Sequence, residues 1–219
     1  LYAAGILGSG AASPSKDFLT ALRQTDKYIA STIDTKLELG GESKDVLLFG
    51  FTDSNYVTHG DSKSQLGYCF FLNKESGTIC ARSKKDTTVS LSSTHAEIKA
   101  LFEGTKEVIW LRGFLEEIGF AQKEATPIYV DNLSAIILSD TYKINQKSGH
   151  MTMKINFIHE QIKAKTIKVQ FITSEEQVAD ILTKPLPKLS FSKHSDKLLR
   201  GFDGQRVATN KGKKTVTFA

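Results

Sequence analysis

Residues 46–52 have the sequence VLLFGFT and are followed directly by Asp53. A nearly continuous apolar run of this length is typical of a β-strand that is covered on both faces of its sheet. Because Asp53 comes directly after such a strand, we expect its carboxylate to be semi-buried beside the core. The stretch therefore predicts a strand of an α/β domain that ends at an acidic side chain.

Two more strands and a long helix are predicted downstream of this run. Residues 66–72 (LGYCFFL) and 77–82 (GTICAR) are apolar runs that residues 73–76 join, which favours a β-hairpin. A helix then begins at Ser92 or Ser93, either of which can cap it, and ends at Gly119. We assign Trp110 to the core with the apolar stripe of this helix, which comprises Ala96, Ala100, Leu101, Val108, Leu111 and Leu115.

The rest of the pattern alternates helices and strands, so the sheet is expected to be mixed. The further elements are a strand at 128–130, helices at 134–138 and 151–163, a strand at 167–172, and a last helix from Ser174 to Pro185. Three strands in a meander followed by crossover helices predict a five-stranded mixed sheet. The expected α/β fold has a three-strand antiparallel meander, two parallel strands and flanking helices.

The two ends of the chain differ from this central part. Residues 1–45 are predicted to form a helical lead-in, with a helix that begins at residues 13–15 and ends by Ser31, and a short strand at 36–39. Residues 201–219 lack periodicity and are expected to be a basic, disordered tail. We therefore divide the chain into a lead-in (1–45), a main domain (46–200) and a tail (201–219), and we expect it to be a piece of a longer protein, since it begins at Leu1.

The composition of the chain limits the classes of protein to which it can belong. The chain has 219 residues, a net charge of +5 and 40% hydrophobic residues, which is enough to bury a core. The positive charge favours a polyanionic partner, although the excess of basic residues from Lys184 onward is equally typical of a solubilising tail. No apolar stretch approaches the roughly 20 residues of a membrane span. Cys69 and Cys80 are interpreted as reduced thiols in a cytosolic or nuclear setting.

Four carboxylates are candidates for a functional site, because an unpaired charge beside apolar residues is unfavourable. Asp53 and Asp131 each follow an apolar strand, Glu97 lies early in the long helix, and Asp180 lies between apolar residues near the end of the domain. Carboxylates that converge repel one another unless a cation is present, and Mg²⁺ prefers oxygen ligands. Two such ions form the apparatus of phosphodiester hydrolysis.

The chain from about residue 49 to 199 resembles the ribonuclease H domain of copia-type (Ty1/copia) retrotransposon polyproteins. Each matching stretch is a weak signal alone, but together they follow one another in order over most of the chain. The stretches are FTDSNY (51–56), DSKSQLGYCFFL (61–72), ARSKKDTTVSLSSTHAEIKAL (81–101), EVIWLRGFLEEIG (107–119), YVDNLSAI (129–136) and EEQVADILTKPLP (175–187).

This resemblance implies an RNase H-like fold and an activity. Asp53, Glu97, Asp131 and Asp180 match the family's four metal ligands, with Asp180 the more peripheral. The implied reaction is hydrolysis of the RNA strand of an RNA–DNA hybrid with two Mg²⁺ ions, for which Mn²⁺ is also suitable. The implied partners are the hybrid and the reverse transcriptase of the same polyprotein, of which residues 1–45 resemble the tail and connecting segment. The implied location is a retrotransposon particle in the cytoplasm, or the nucleus, and the oligomeric state stays open.

Six residues are candidates for contacts with the hybrid, and each has an ordinary structural explanation as well. Basic and polar loop residues near the hairpin are either phosphate contacts or solvated surface groups. Asn132 either binds a sugar or phosphate or caps the next helix, and His150 either assists product release or caps a helix. The full set is Lys63, Ser64, Lys84, Lys85, Asn132 and His150.

Two other functions remain to be weighed. A catalytically weak or silent domain of this fold would serve a polymerase as a nucleic-acid-binding scaffold, but all four candidate ligands are present. An integrase-like nuclease usually has Asp, Asp and Glu in that order, whereas this chain has Asp53, Glu97, Asp131 and Asp180. The order therefore favours a ribonuclease H.

Overall fold

The computed structural model describes residues 1–42, 45–56, 62–140 and 149–202. None of the helices in these ranges is long and apolar enough to cross a membrane. The strands are β1 (Phe49–Asn55), β2 (Lys63–Phe71), β3 (Cys80–Val89), β4 (Thr126–Val130) and β5 (Ile167–Phe171). The α-helices are α1 (Tyr2–Ser9), α2 (Lys16–Ser31), α3 (Ser93–Glu117), α4 (Leu133–Asp140), α5 (Gly149–Lys163) and α6 (Lys188–Arg200).

The five strands form one mixed sheet in the order β3-β2-β1-β4-β5. β1, β2 and β3 pair antiparallel in sequence order, as a meander does. β4 pairs parallel with β1, and β5 pairs parallel with β4. The expected three-strand meander with two added parallel strands is therefore confirmed, and β1 lies at the centre of the sheet.

Both faces of the sheet are covered, as the apolar run before Asp53 predicts. On one face, the side chains of α3 and α5 pack on alternate strand residues such as Phe70 and Ile128. On the other face, Phe51 and Phe71 pack against residues 178–182 of the C-terminal segment. Successive residues of a strand point to opposite faces, so one run of apolar residues supplies two cores.

Most of the features predicted for the helix α3 are confirmed. Ser92 caps it by accepting a hydrogen bond from the backbone N–H of His95 at 3.2 Å, and all six residues of the predicted stripe are buried. The assignment of Trp110 to the core is wrong, because its side chain is 62% exposed and stacks on Phe114. Consecutive helix residues point about 100° apart, so Trp110 faces solvent while its neighbour Leu111 faces the sheet.

A buried ion pair joins the start of α3 to the end of β3. Lys99 Nζ lies 2.7 Å from Asp86 Oδ2, with side chains only 5% and 7% exposed. The same ammonium donates to Thr88 Oγ1 at 2.9 Å and to the carbonyls of Thr88 and Val89 at 3.3 Å. This network therefore holds the first turns of α3 against the end of β3.

We expect Lys99→Met to lower the free energy of unfolding by about 3–5 kcal/mol, because it leaves Asp86 buried without its partner. Urea denaturation measures this loss. The matched control is Lys106→Met, which breaks an exposed pair with Glu103 at 3.0 Å and should cost less than about 1 kcal/mol. Equal losses in the two variants would contradict the importance of the buried network.

Several predicted strand boundaries, and one predicted strand, differ from the structure. β1 begins at Phe49 rather than residue 46, because the side chain of Gln122 bonds to Leu48 N and Val46 O in place of a neighbouring strand. β3 runs on to Val89, since an edge strand tolerates the polar sequence SKKDTT. Residues 36–39 form no strand and make only isolated backbone bonds, from Glu38 N to Leu199 O and from Gly77 N to Glu38 O.

The C-terminal segment departs most from expectation. In place of the predicted helix from Ser174 there are two short 3₁₀ helices, Ser174–Glu176 and Val178–Leu182. They are separated by Gln177, whose backbone is extended and whose side chain is fully buried. The helix α6 that follows was not predicted from the sequence.

The boundary drawn at residue 201 falls next to a packed aromatic side chain. Phe202 stacks on Phe51 with ring centroids 5.6 Å apart and also contacts Phe49 and Phe71. Its N–H donates to Lys74 O at 2.5 Å. The packed domain therefore includes this residue, while the rest of the predicted tail, 203–219, lies outside the described residues.

The inward side of α6 carries a buried histidine, His194, which is 2% exposed. Burial, together with the nearby positive charges of Lys197 and Lys193, lowers the pKa of its imidazole to about 4. In the unfolded chain the same group takes up a proton at about pH 6.5. Acidification from neutral pH therefore favours the unfolded chain before the folded imidazole can be protonated.

The difference in the pKa of His194 between the folded and the unfolded chain should reduce the free energy of unfolding by about 2 kcal/mol when the pH is lowered from 7 to 5. The variant His194→Gln has no titratable group at this position. Its free energy of unfolding should therefore fall by about 2 kcal/mol less than that of the parent between pH 7 and pH 5. Urea denaturation of both proteins at the two pH values measures the difference. An identical loss in the variant would show that His194 is not buried in its neutral form.

Candidate active site

Two of the four candidate carboxylates are brought together by the pairing of parallel strands. In the register of β1 and β4, Gly50 lies opposite Ile128 and Phe51 lies opposite Tyr129. Continuing this register by two residues places Asp53 level with Asp131. Both carboxylates therefore lie at the edge where the two parallel strands end, where α/β sheets commonly bind their ligands.

The third carboxylate comes from the early turns of α3, which crosses the same edge. Glu97 Oε1 accepts hydrogen bonds from the backbone N–H of Ser54 at 3.1 Å and from its hydroxyl at 2.9 Å. These bonds tie the helix to the residue after Asp53. Ligand oxygens of Asp53, Glu97 and Asp131 all lie within 4.8 Å of one another. We call these three residues the carboxylate cluster.

The carboxylate cluster fits a divalent cation. Asp53 is 2% and Glu97 5% exposed, and among the described residues Glu97 Oε2 has no hydrogen-bond partner. Burial, and next the charge of Asp53, raise the pKa of Glu97 well above its ordinary value. Burial raises the pKa of Asp53 to about 7, although the charge of Lys184 opposes this. Close, buried carboxylates of this kind are favourable when a cation balances their charge.

The fourth candidate, Asp180, reaches this edge through the C-terminal segment. Gln177 Nε2 donates to the backbone carbonyl of Thr52 at 3.0 Å, which anchors the segment next to Asp53. The segment also packs closely on β2 at Gly67, where a Cβ atom would lie 2.7 Å from Thr183 Cγ2. The lack of a side chain at Gly67 thus allows the segment to approach the site.

Asp180 lies beside the carboxylate cluster and does not belong to it. Its oxygens are not among the group within 4.8 Å in the described chain, and its Oδ1 instead lies 2.8 Å from Lys184 Nζ. Burial raises its pKa, and the ion pair with Lys184 opposes that shift. The role of peripheral metal ligand that the resemblance implies for Asp180 stays a prediction.

Several residues that support the site were not singled out from the sequence. Thr183 Oγ1 donates a hydrogen bond to Asp53 Oδ2, and Ser174 Oγ donates to Asp131 Oδ2 at 2.8 Å. The relevant sequence signal lies in the stretch EEQVADILTK, which carries Gln177, Thr183 and Lys184. Their roles depend on contacts with β1, which no spacing within the stretch reveals.

The six candidate contacts with a nucleic acid occupy different environments. The predicted loop positions of three lysines are wrong, because Lys63 lies on β2 and Lys84 and Lys85 lie on β3. Lys85 is exposed, and Lys63 and Lys84 are half-buried. Ser64 is fully buried, which does not fit a direct contact with a phosphate backbone. Asn132 Oδ1 accepts from Ala135 N at 3.0 Å and so caps α4, one of the two roles considered for it.

The remaining candidate, His150, lies in the first turn of α5, and its side chain is outside the described residues. The lysines of β3 are close to the site in the sheet. Asp53 pairs with Gly67 and Gly67 with Ser83, so Lys84 and Lys85 follow a residue two strands from Asp53. At the usual strand spacing this separation is roughly 10 Å.

Comparison with known proteins shows to which family the chain is related. A retrovirus-related Pol polyprotein from transposon TNT 1-94 of Nicotiana tabacum is 35% identical over 191 residues, which cover 87% of this chain and 14% of that protein. A counterpart from transposon RE2 of Arabidopsis thaliana is 28% identical over 198 residues, which cover 90% of this chain and 13% of that protein. The chain belongs to the family of copia-type transposon Pol polyproteins.

The match covers a small part of these polyproteins, about one seventh of the tobacco protein's length. No family model matches the chain. Among solved structures, LC11-RNase H1, isolated from compost by a metagenomic approach, is 16% identical with a TM-score of 0.47, covering 63% of this chain and 93% of that chain. In this Pol polyprotein segment, the sheet order agrees with the five-stranded mixed sheet predicted from the sequence.

A divalent cation should stabilise this Pol polyprotein segment through the carboxylate cluster. At a Mg²⁺ concentration about tenfold above its dissociation constant, we expect the midpoint of thermal unfolding to rise by about 3–6 °C. Asp53→Asn should abolish this rise, and in chelator it should unfold at a higher temperature than the parent, because it removes one of three close carboxylates, two of which are buried.

The matched control is Asp140→Asn, which changes an exposed aspartate at the end of α4 and should respond to Mg²⁺ as the parent does. Calorimetry with Mg²⁺ and with chelator provides the measurement. If Mg²⁺ stabilised the Asp53→Asn variant as strongly as the parent, the cation would bind elsewhere.

Proposed function

We propose that the chain is a ribonuclease H that hydrolyses the RNA strand of RNA–DNA hybrids during reverse transcription of a retrotransposon. The observation that carries this proposal is the carboxylate cluster, in which oxygens of Asp53, Glu97 and Asp131 lie within 4.8 Å of one another. The motifs that resemble copia-type ribonuclease H domains, and the relationship to transposon Pol polyproteins, support the same activity.

The site's own residues have positioning roles in the proposed reaction. Divalent cations held by the carboxylate cluster would activate a water molecule and stabilise the leaving oxygen, so that the products carry a 3′-hydroxyl and a 5′-phosphate. Ser54 holds Glu97 and Ser174 holds Asp131, each by a hydrogen bond to one carboxylate oxygen. The other oxygen of each carboxylate is thereby oriented for a ligand. The proposed cofactor is two Mg²⁺ ions, with Mn²⁺ able to replace them.

The proposed substrate surface extends from the carboxylate cluster across the meander. Lys63, Lys84 and Lys85 are proposed to contact phosphates of the hybrid, since they lie on β2 and β3 within a few residues of the row that pairs with Asp53. Contacts of this kind position a backbone without reading sequence. A direct role for Ser64 is not proposed because it is fully buried, and Asn132 and His150 stay candidates.

The proposed partner is the reverse transcriptase of the same polyprotein. Residues 1–45 are proposed to be the end of that enzyme's connecting segment, 46–202 the ribonuclease H domain, which extends the predicted domain by two residues to include Phe202, and 203–219 a basic tail. In support, the lead-in makes polar contacts with α6, where Arg200 Nε lies 3.0 Å from Glu38 Oε1. The proposed location is a retrotransposon particle in the cytoplasm, or the nucleus.

Removal of a cluster carboxylate should abolish cleavage. With a labelled RNA–DNA hybrid and Mg²⁺ or Mn²⁺, we expect Asp53→Asn, Glu97→Gln and Asp131→Asn each to lower the rate of RNA cleavage by at least about 10³-fold, since lost transition-state stabilisation of about 4 kcal/mol corresponds to that factor. Hybrid binding should persist. The Asp180→Asn variant should lose less, because Asp180 lies outside the cluster.

The control for these variants is Asp140→Asn, which should cleave at the parent rate, and chelator should stop cleavage in every active protein. Parent-rate cleavage by Asp53→Asn would refute the site. A parent protein that binds the hybrid without cleaving it, under either metal, would instead favour the silent scaffold that serves a polymerase.

A further inference from the structure

The outer side of α3, which faces away from the sheet, carries an exposed apolar patch. Trp110 is 62% exposed and Phe114 is 46% exposed, and their rings stack with centroids 5.7 Å apart. Ile118 and Ile109 extend the patch, with 50% and 38% of their surface exposed. The exposed area of these four side chains is on the order of 400 Å², which is comparable to the largest apolar patch of a typical monomer, and such patches often contact other proteins.

A glycine lies beside this patch in the middle of the helix. Glycine is the least favourable residue of a helix interior after proline, so its presence calls for a packing reason. At Gly104 of the same helix that reason lies within the chain, since an added Cβ atom would lie 2.5 Å from Thr52 Cγ2. At Gly113 an added Cβ atom would meet no atom of the described chain within 4 Å beyond its own stretch of helix. The missing side chain of Gly113 therefore leaves an open depression next to Trp110.

Four exposed residues form one row along the outer side of α3, and we call this row the α3 seam. They are Lys106, Trp110, Gly113 and Glu117. Successive spacings of four, three and four residues keep the row on one side of the helix. The same spacings are obtained when the row is followed in the reverse direction. Two antiparallel copies of the helix can therefore lie with every residue of one seam opposite a residue of the other.

Both charge and shape are complementary in the antiparallel pairing. Lys106 of each copy lies opposite Glu117 of the other, and Trp110 of each copy lies opposite the depression at Gly113 of the other. Lys106 Nζ lies 3.0 Å from Glu103 Oε2, but an ammonium group has three donors and can bind a second carboxylate as well. A parallel pairing would instead bring the two ammonium groups together and the two indole rings together, so the antiparallel arrangement is favoured.

We propose that the α3 seam is an interface between two copies of this chain, which pack antiparallel about a two-fold axis that passes between residues 111 and 112. The total buried area, on the order of 1,000–1,400 Å² with the polar rim, is at the low end for a specific interface, and we expect a dissociation constant of about 10–100 μM. Glu97 precedes Trp110 by 13 residues, which is about 20 Å of helix. The interface thus leaves the carboxylate cluster accessible, and the proposal holds whether or not the cluster binds a cation.

The chain carries its own probe of this interface, because Trp110 is its only tryptophan. We expect sedimentation equilibrium of the full chain between about 1 μM and 1 mM to show a monomer–dimer equilibrium. Over the same concentrations, the fluorescence emission of Trp110 should shift to shorter wavelength as its indole ring leaves water. A chain that stays monomeric would overturn the proposal and leave the patch to another protein. A dimer that forms without a change in emission would also overturn it.

The variant Gly113→Gln distinguishes self-association from folding, because the two effects have opposite signs. Glutamine is a better helix former than glycine, so the midpoint of thermal unfolding of the dilute, monomeric variant should rise by about 1–4 °C. The added side chain fills the depression that receives Trp110, so the dissociation constant of the dimer should increase by at least about tenfold. Association as tight as that of the parent would contradict the proposed packing.

Reversal of charges tests the partner of Lys106. Lys106→Glu places like charges opposite each other at both ends of the paired seams and should weaken the dimer by about tenfold. The double variant Lys106→Glu with Glu117→Lys restores opposite charges between the copies and should return the dissociation constant to within about threefold of the parent value.

The matched control is Lys188→Glu, which makes the same change of net charge at an exposed position of α6 and should leave association unchanged. If the double variant associated no more tightly than Lys106→Glu, Glu117 would not be the partner and the proposed pairing would be wrong. Equal weakening by Lys188→Glu would show an effect of net charge alone and would likewise overturn it.

Discussion

The parallel pairing of β1 with β4 is the constraint on which the rest of the site depends. The register that joins Gly50 to Ile128 also brings the ends of both strands to one edge, and so places Asp53 beside Asp131. A shift of one residue would turn one of these side chains to the opposite face of the sheet, because successive strand residues alternate. The apolar residues before each aspartate hold the register, since both sheet faces are buried.

The domain contains two sets of buried charge that are balanced in different ways. Lys99 and Asp86 form a complete network, in which the ammonium has carboxylate, hydroxyl and carbonyl partners. Such a network holds the start of α3 against β3, and its charges are balanced without a bound ligand. The carboxylate cluster, in contrast, gathers charges of one sign and leaves Glu97 Oε2 unpartnered among the described residues. Both arrangements involve the first turns of α3, where Lys99 bonds to residues at the end of β3 and Glu97 bonds to Ser54.

The C-terminal segment completes the site from the other face of the sheet. Gln177 is fully buried and bonded to the carbonyl of Thr52, so it directs the chain toward Asp53 and interrupts what would otherwise be one helix. Asp180 and Lys184 arrive with it as an ion pair. The close packing at Gly67 permits this approach, and Phe202 closes the apolar layer behind it. The site is thus made by elements that lie far apart in the sequence.

The sequence by itself determined the parts of this protein that depend on neighbouring residues. The alternation of apolar strands, the stripe of α3, its cap at Ser92 and the mixed sheet follow from local pattern, and the motifs around Asp53, Glu97 and Asp131 indicated the carboxylates that converge. Only the tertiary structure decided that Asp180 pairs with Lys184, that Trp110 faces solvent, and that the segment after Ser174 forms two 3₁₀ helices. These features depend on contacts between residues that are distant along the chain, such as Gln177 with Thr52, and local spacing does not encode the distance between such residues.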